Sequence, residues 1–99
     1  MKLYVLIRND LSRSQKTVQG IHATAQVLLY KNSWKDFWGN GHVVCLKVQN
    51  EEELKDYILK AKELNLCYDF FKEPDINNAI TSVAIFSEKD DLFKDLTLL

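Results

Sequence analysis

Apolar and polar positions follow two different periods along the first thirty residues. Leu3–Ile7 is a continuous apolar run, which is typical of a buried strand. Ser12 and Gln15 then have the spacing of a capping box, which predicts the start of a helix. Five apolar positions of this helix lie within an arc of about 100° and are predicted to face the core. They are Val18, Ile21, Ala25, Leu28 and Leu29.

The rest of the pattern predicts three more strands and a second helix. The strand candidates are His42–Val48, Cys67–Phe71 and Thr81–Phe86. Because Thr81–Phe86 is almost continuously apolar, we expect it to be a central strand that is covered on both faces. The second helix begins after Asn50, and its apolar positions are Leu54, Tyr57, Ile58, Ala61 and Leu64. Residues 89–99 are expected to form a short helix and a closing extended segment.

This order of elements predicts the fold class. Two strand–helix–strand units with right-handed crossovers make the first three strands parallel. The fourth strand follows too closely for a helical crossover and is expected to be antiparallel. We therefore predict one α/β domain over residues 1–99, with a small mixed four-stranded sheet of three parallel strands and one antiparallel strand, and with helices packed on it. We expect Val43, Cys45, Val83 and Ile85 to be buried in this sheet.

A second, polar stripe runs along the border of the first helix. Gln15, Gln19, His22 and Gln26 lie within about 60° of one another, and neither packing nor solubility requires these residue types. Ligands of α/β sheets bind outside the carboxyl ends of the parallel strands. Residues 8–10 and 73–78 are expected to lie at that edge, close to the start of the first helix. The sequence therefore predicts a site there.

The same region resembles a known family. A strand that ends in R-N-D-L, followed by a short loop and a helix with Q-x-x-H-A, is similar to the opening of the type II peptidyl-tRNA hydrolases. The helix of that family reads G-K-x-A-A-Q-C-S-H-A, so Gln19 and His22 match, whereas Gln15 stands at the Lys position. The likeness continues to the D-L-x-L-L ending and covers nearly the whole chain. It implies the family's fold, tRNA as the partner, and hydrolysis of the ester of peptidyl-tRNA with water, without a metal or another cofactor.

Ester hydrolysis requires a positioned water, a group that accepts its proton, and donors for the developing oxyanion. The candidates for these catalytic roles are His22, Asp75 and Gln19. The candidate substrate-binding residues are Arg8, Asn9, Asp10, Arg13, Gln15, Lys16, Asn77 and Asn78. Structural alternatives stay open: a boundary histidine for His22, a helix cap for Gln15, and a turn residue for Asp75.

The loop after the third predicted strand departs from the family's pattern. The family reads D-A-G-R-T-Q-I-A-P-G there, with Asp and Thr implicated in activity, whereas this chain reads D-I-N-N-A-I-T-S. Asp75 fits, but Ala79 stands where the Thr belongs. Thr81 is a candidate to reach back in its place, although it looks like the start of a strand. A second hypothesis is therefore a non-catalytic module that binds the tRNA end, a nucleotide or a protein.

Charge is distributed unevenly, although the formal net charge is −1. Residues 1–48 hold seven Lys and Arg against two acids, and residues 49–99 hold six against twelve. The basic half predicts a local patch that takes a few phosphates. The alternative is that the acidic residues simply complement a helix N-terminus.

The remaining features bear on location and partners. No run approaches the ~20 apolar residues of a membrane span, so no membrane association is expected. Cys45 and Cys67 lie in predicted strands, which suggests free thiols in a reducing cytoplasm, with a disulfide between them as the alternative. The spacing of Cys and His is not that of a zinc site. Residues 34–38 hold three aromatics, Trp34, Phe37 and Trp38, which form either a base-stacking surface or a hydrophobic plug over the core. A homodimer is left open.

Overall fold

The chain folds into one mixed α/β structure in which a five-stranded sheet lies between α1 and α3. The computed structural model describes residues 1–31 and 34–99. Its strands are β1 (Lys2–Arg8), β2 (Val43–Val48), β3 (Tyr68–Glu73), β4 (Ala79–Ser87) and β5 (Thr97–Leu98). Its helices are α1 (Arg13–Tyr30), the four-residue α2 (Trp34–Phe37) and α3 (Glu51–Glu63), and short 3-10 turns follow β3 (Pro74–Ile76) and precede β5 (Asp91–Phe93).

Among the described residues the strand order is β3-β4-β1-β2-β5, and only the β1–β2 pairing is parallel. The other three pairings are antiparallel. The predicted sheet of four strands, three of them parallel, is therefore wrong in the number of strands and in their pairing. Because only a short turn joins β3 to β4, these strands pair directly as a hairpin, and β4 separates β3 from β1. The closing extended segment adds the fifth strand along β2.

The prediction of a central, doubly covered strand is confirmed, since every residue of Thr81–Phe86 is buried. Burial of Val83 and Ile85 is confirmed as well, but the predicted burial of Val43 and Cys45 is wrong. Val43 is 49% exposed, and Cys45 is also exposed. The reason is that α1 packs over β1, β3 and β4 and leaves the same face of β2 uncovered.

The predicted core face of α1 is also wrong, because the helix buries nearly the opposite side. Its buried residues are Gln19, Gly20, Ala23 and Val27, whereas Val18, Ile21 and Leu29 of the predicted stripe are 46%, 64% and 69% exposed. Small residues at the buried positions let the helix lie close to β1. A Cβ atom on Gly20 would lie only 2.7 Å from Ile7 Cδ1. The face of α1 that contacts the sheet is therefore the one that lets the helix backbone come closest to β1. It is not the face with the most large apolar side chains.

The second predicted helix buries the face that its period indicates. Leu54, Tyr57 and Ala61 are buried, and only Leu64, just beyond the helix end, is exposed. The Asn50 side chain accepts a hydrogen bond from the Glu53 backbone N–H at 3.0 Å, which confirms the predicted helix start. Helix α3 therefore covers the face of the sheet opposite to α1.

The aromatic residues after α1 form the predicted hydrophobic plug. The rings of Phe37 and Trp38 lie 5.1 and 5.4 Å from the ring of Phe86, measured between centroids. The Trp34 indole N–H donates to the Leu28 carbonyl oxygen at 3.0 Å. The plug lies over the C-terminal end of β4, far along that strand from the predicted site. Over the described ranges, no helix is both long enough and apolar enough to cross a membrane.

Candidate active site

Local capping fixes where α1 begins. The Ser12 hydroxyl accepts a hydrogen bond from the Gln15 backbone N–H at 3.2 Å, and the Gln15 amide oxygen accepts one from the Ser12 backbone N–H at 3.0 Å. This reciprocal pair is the predicted capping box, which is confirmed. It anchors the first turn of α1 beside the loop that follows β1, and the same turn forms one wall of a cleft.

The cleft has a volume of about 220 Å³ and lies between the first half of α1, the end of β3 and the start of β4. Its lining consists of Leu11, Ser14, Gln15, Val18, Gln19, Glu73, Asp75, Ile76 and Thr81. The charged side chains of this lining are two carboxylates, Glu73 and Asp75. Amide and hydroxyl groups together with apolar side chains complete a lining that is suited to hold a small polar group beside a carboxylate.

Gln19 is the centre of the hydrogen bonds at the floor of the cleft. Its amide nitrogen Nε2 donates to Glu73 Oε1 at 2.9 Å, and its amide oxygen Oε1 accepts from Thr81 Oγ1 at 2.6 Å. Its backbone carbonyl accepts from the Ser82 hydroxyl at 2.6 Å. Gln19 is 3% exposed, and Thr81 and Ser82 are fully buried. The bond from Ser82 joins the α1 backbone to β4, whereas the two bonds of the side-chain amide fix that amide between Glu73 and Thr81.

A β-bulge brings Thr81 to this floor. In the β3–β4 ladder Phe71 lies opposite Ser82 and Lys72 lies opposite Ile80, so that Thr81 is the extra residue. An extra residue interrupts the alternation of side chains and redirects one of them. Thr81 and Ser82 consequently both donate to Gln19 from the same side of the sheet, although they are neighbours in a strand.

Arg8 closes the other side of the bulge with three hydrogen bonds. Its Nε and Nη2 atoms donate to the two carboxylate oxygens of Asp10, each at 2.9 Å, and Nη1 donates to the Ile80 carbonyl oxygen at 3.2 Å. The Ile80 backbone N–H donates to Glu51 Oε2 at 2.7 Å. The hydrogen bonds from Arg8 hold the pKa of Asp10 below its ordinary value, and Asp10 raises the pKa of Arg8. The predicted substrate residues Arg8 and Asp10 thus form a clamp on β4.

Of the other predicted substrate-binding residues, Gln15 lines the cleft, whereas Asn9, Arg13, Lys16, Asn77 and Asn78 are not part of its lining. Lys16 Nζ donates to Asn9 Oδ1 at 2.7 Å, which joins α1 to the end of β1. Arg13 is an exposed residue of the first turn of α1. Asn77 and Asn78 are exposed and form the turn before β4, both with φ of 58°. This left-handed conformation is one that asparagine tolerates better than most residues.

Two of the three residues predicted to carry the chemistry, Gln19 and Asp75, line the cleft. His22 lies one helical turn beyond Gln19, outside the cleft, and its ring stacks on that of Phe71 with 4.1 Å between centroids and 7° between planes. The imidazole is therefore packed flat against the outer part of the sheet.

Two residues of the floor, Glu73 and Thr81, are not among those that the sequence assigns to catalysis or substrate binding. Glu73 has a recognisable signal, since an acidic residue at a strand end before Pro74 lies at the edge where ligands bind. The signal for Thr81 is weaker, since it is only a hydroxyl residue close to Ala79, the position at which the family has Thr. The inward direction of Thr81 depends on the bulge, and the bulge is a property of the pairing between two strands.

Comparison with known proteins adds the family. A solved structure of a protein of unknown function from Agrobacterium tumefaciens matches with a TM-score of 0.74, over 99% of this chain and 96% of that chain, at 16% sequence identity. At this identity the likeness concerns the fold alone. No curated protein matches the chain. The sequence profile of the family described as "Peptidyl-tRNA hydrolase PTH2" matches residues 1–99, the whole chain. The chain belongs to the peptidyl-tRNA hydrolase PTH2 family.

Proposed function

We propose that the protein hydrolyses the ester bond between a peptide and the 3′ end of tRNA, in the cytoplasm where translation takes place. The observation that carries the proposal is the Gln19–Glu73 hydrogen bond, in the cleft of a chain that belongs to this family. It supplies a positioned carboxylate beside an open space of about 220 Å³, which is room for a water and the ester group. The cleft therefore favours a hydrolase over a non-catalytic module.

Glu73 is the proposed general base. It takes a proton from a water molecule as the water oxygen attacks the ester carbonyl carbon. When the tetrahedral intermediate collapses, the bond between the carbonyl carbon and the ribose oxygen breaks, and Glu73 returns the proton to that oxygen. The products are the peptide acid and free tRNA. Asp75, which lines the same cleft, is proposed to orient the water, and the second N–H of the Gln19 amide to support the substrate carbonyl.

The tRNA is proposed to approach over the start of α1. Arg13 is exposed there, and Lys16 lies in the next turn. Both are cations that contact phosphates in this proposal, together with the amide groups of Asn9, Asn77 and Asn78. Arg8 serves the site by holding the β4 bulge, because its donors are directed at Asp10 and Ile80.

The decisive assay is release of labelled peptide from an N-acetylated aminoacyl-tRNA by the purified protein. Glu73→Gln is expected to lower kcat by about 10²-fold or more, as is usual for a lost general base. Glu88→Gln, at an exposed glutamate beyond the end of β4, is the matched control and is expected to leave the rate unchanged. If the wild-type protein releases no peptide, the proposal fails. The predicted alternative, a module that binds without catalysis, would then take its place.

His22→Phe tests the sequence-based assignment of His22, because phenylalanine preserves the ring stacked on Phe71. A rate that falls with His22→Phe and survives Glu73→Gln would transfer the role of base to the histidine.

Binding of tRNA supplies a separate test. Arg13→Gln and Lys16→Gln are each expected to reduce the slope of log K against log salt by about one, whereas Lys89→Gln at the far end of β4 is not. If the wild type and the three variants have equal slopes, Arg13 and Lys16 do not contact the tRNA phosphates.

A further inference from the structure

Thr81 is the most deeply buried polar residue of the cleft lining, and its own hydroxyl is directed at Gln19. It is 0% exposed, and its Oγ1 lies 2.6 Å from Gln19 Oε1. The Gln19 amide then presents its nitrogen to Glu73 at 2.9 Å. We infer that Thr81 is a positioning residue, which acts through Gln19 to hold the Glu73 carboxylate in place. The inference rests on the proposed function for its effect on rate.

The orientation of the Gln19 amide depends on what each neighbouring group can donate or accept. A carboxylate only accepts, so Glu73 requires the NH₂ side of the Gln19 amide. The amide oxygen then faces the buried side, where water does not reach it and a donor is required. Thr81 supplies that donor. Without it the oxygen would be buried and unsatisfied, and the amide would gain by turning towards the cleft, where it can meet water. Glu73 would then lose its hydrogen bond.

The bulge in β4 is what makes this arrangement possible. In a regular strand Thr81 and Ser82 would face opposite sides of the sheet. In this strand both donate to Gln19, Thr81 to the side-chain amide and Ser82 to the backbone carbonyl, at the same distance of 2.6 Å. Only the bond from Thr81 bears on the orientation of the amide. The two neighbours therefore form a natural pair of test and control.

The kinetic test compares Thr81→Val, which removes the hydroxyl and keeps the shape, with Thr81→Ser, which keeps the hydroxyl. Misplacement of a catalytic group by about 1 Å can cost about 10²-fold. We expect Thr81→Val to lower kcat for peptide release by about that factor with little change in KM, and Thr81→Ser to restore most of it. Ser82→Ala removes an equally short and equally buried bond and is expected to keep kcat within about threefold. Thr81→Cys, a weak donor of similar size, replaces the valine variant if that does not fold.

A loss of kcat in Ser82→Ala as large as in Thr81→Val would overturn the inference, because general loosening of the floor would then explain both. Failure of Thr81→Ser to recover activity would overturn it as well. Either result leaves the hydrolase proposal standing, since the wild-type protein still releases peptide.

A measurement without substrate separates the two proposals. In ¹⁵N-labelled protein the side-chain NH₂ of Gln19 is assigned by its loss in Gln19→Met, and exchange with solvent is measured for the N–H that donates to Glu73. We expect slow exchange in the wild type, Thr81→Ser and Ser82→Ala, and fast exchange in Thr81→Val. If that pattern is found and no protein releases peptide, the hydrolase proposal fails while the positioning role of Thr81 stands. Slow exchange in Thr81→Val overturns the positioning role whatever the activity.

Discussion

Replacing Gly20 by alanine adds a methyl group where α1 touches β1. The new Cβ would lie 2.7 Å from Ile7 Cδ1, whereas non-bonded carbons pack at about 3.5–4.0 Å. Ile7 is 2% exposed, so its side chain has little room to move. Overpacking of this kind costs about 1–3 kcal/mol, and alanine gains about 1 kcal/mol over glycine inside a helix. We expect Gly20→Ala to lower the free energy of unfolding by about 1 kcal/mol.

The structure also specifies how this loss can be reversed. Ile7→Val deletes the one atom that conflicts with the new methyl group, and alone it should cost about 1 kcal/mol. The next contacts of the methyl group, 3.6 Å to Ile7 Cγ1 and 3.8 Å to Val5 Cγ1, are ordinary. In the Ile7→Val background Gly20→Ala is therefore expected to stabilise the protein by about 1 kcal/mol. The coupling free energy between the two changes is then about 2 kcal/mol, in the range for residues in contact.

The assay is urea unfolding of the four proteins of this cycle, followed by far-UV circular dichroism at 25 °C. A control cycle pairs Gly20→Ala with Ile58→Val, which lies on α3 against the opposite face of the sheet, and should be additive within about 0.5 kcal/mol. The proposed conflict between a Cβ at position 20 and Ile7 Cδ1 is refuted if Gly20→Ala is as destabilising in the Ile7→Val protein as in the wild type. It is also refuted if Gly20→Ala stabilises the wild type, because α1 would then not lie as close to β1 as described.

Two further expectations follow from the clamp and from the corrected face of α1. Asp10→Asn removes a carboxylate whose pKa Arg8 lowers. Its stabilisation is present above the ordinary Asp pKa of about 3.9 and is lost as the pH falls through the lowered folded value. Since Asp10 is partly exposed, we expect a loss of no more than about 1 kcal/mol near neutral pH, which shrinks towards acid in urea unfolding. If Asp10→Asn lowers the free energy of unfolding by the same amount in acid as near neutral pH, this account is contradicted. On α1, Ile21→Ala at an exposed position should cost less than about 0.5 kcal/mol, whereas Val27→Ala at a buried one should cost about 2. The same unfolding experiment would show the reverse order if the predicted apolar stripe were the core face.

Features that depend on near neighbours in the chain could be predicted from the sequence. The start of α1 follows from a serine and a glutamine three residues apart, and the start of α3 from Asn50. The run Thr81–Phe86 indicated a central strand because a sheet that is covered on both faces admits few polar side chains. Gln19 stands out in the sequence as well, since neither packing nor solubility requires an amide at that position of the helix.

Tertiary structure decided which surfaces meet. The apolar stripe of α1 predicted one core face, yet the helix turns Gly20 and Ala23 to the sheet because small residues allow the closer approach. Strand pairing likewise followed from the short connection between β3 and β4, which makes a hairpin and leaves a single parallel pairing in the sheet.

The floor of the site depends on both levels. The sequence placed Gln19 and Asp75 near the edge of the sheet, from helical period and strand order. The hydrogen-bond partners of Gln19 depend on the pairing of β3 with β4. The bulge between these strands directs Thr81 to the same side of the sheet as Ser82, whereas in a regular strand it would face the other side. A hydrogen bond between residues 62 positions apart is a property of that pairing. The local pattern of either segment does not contain it.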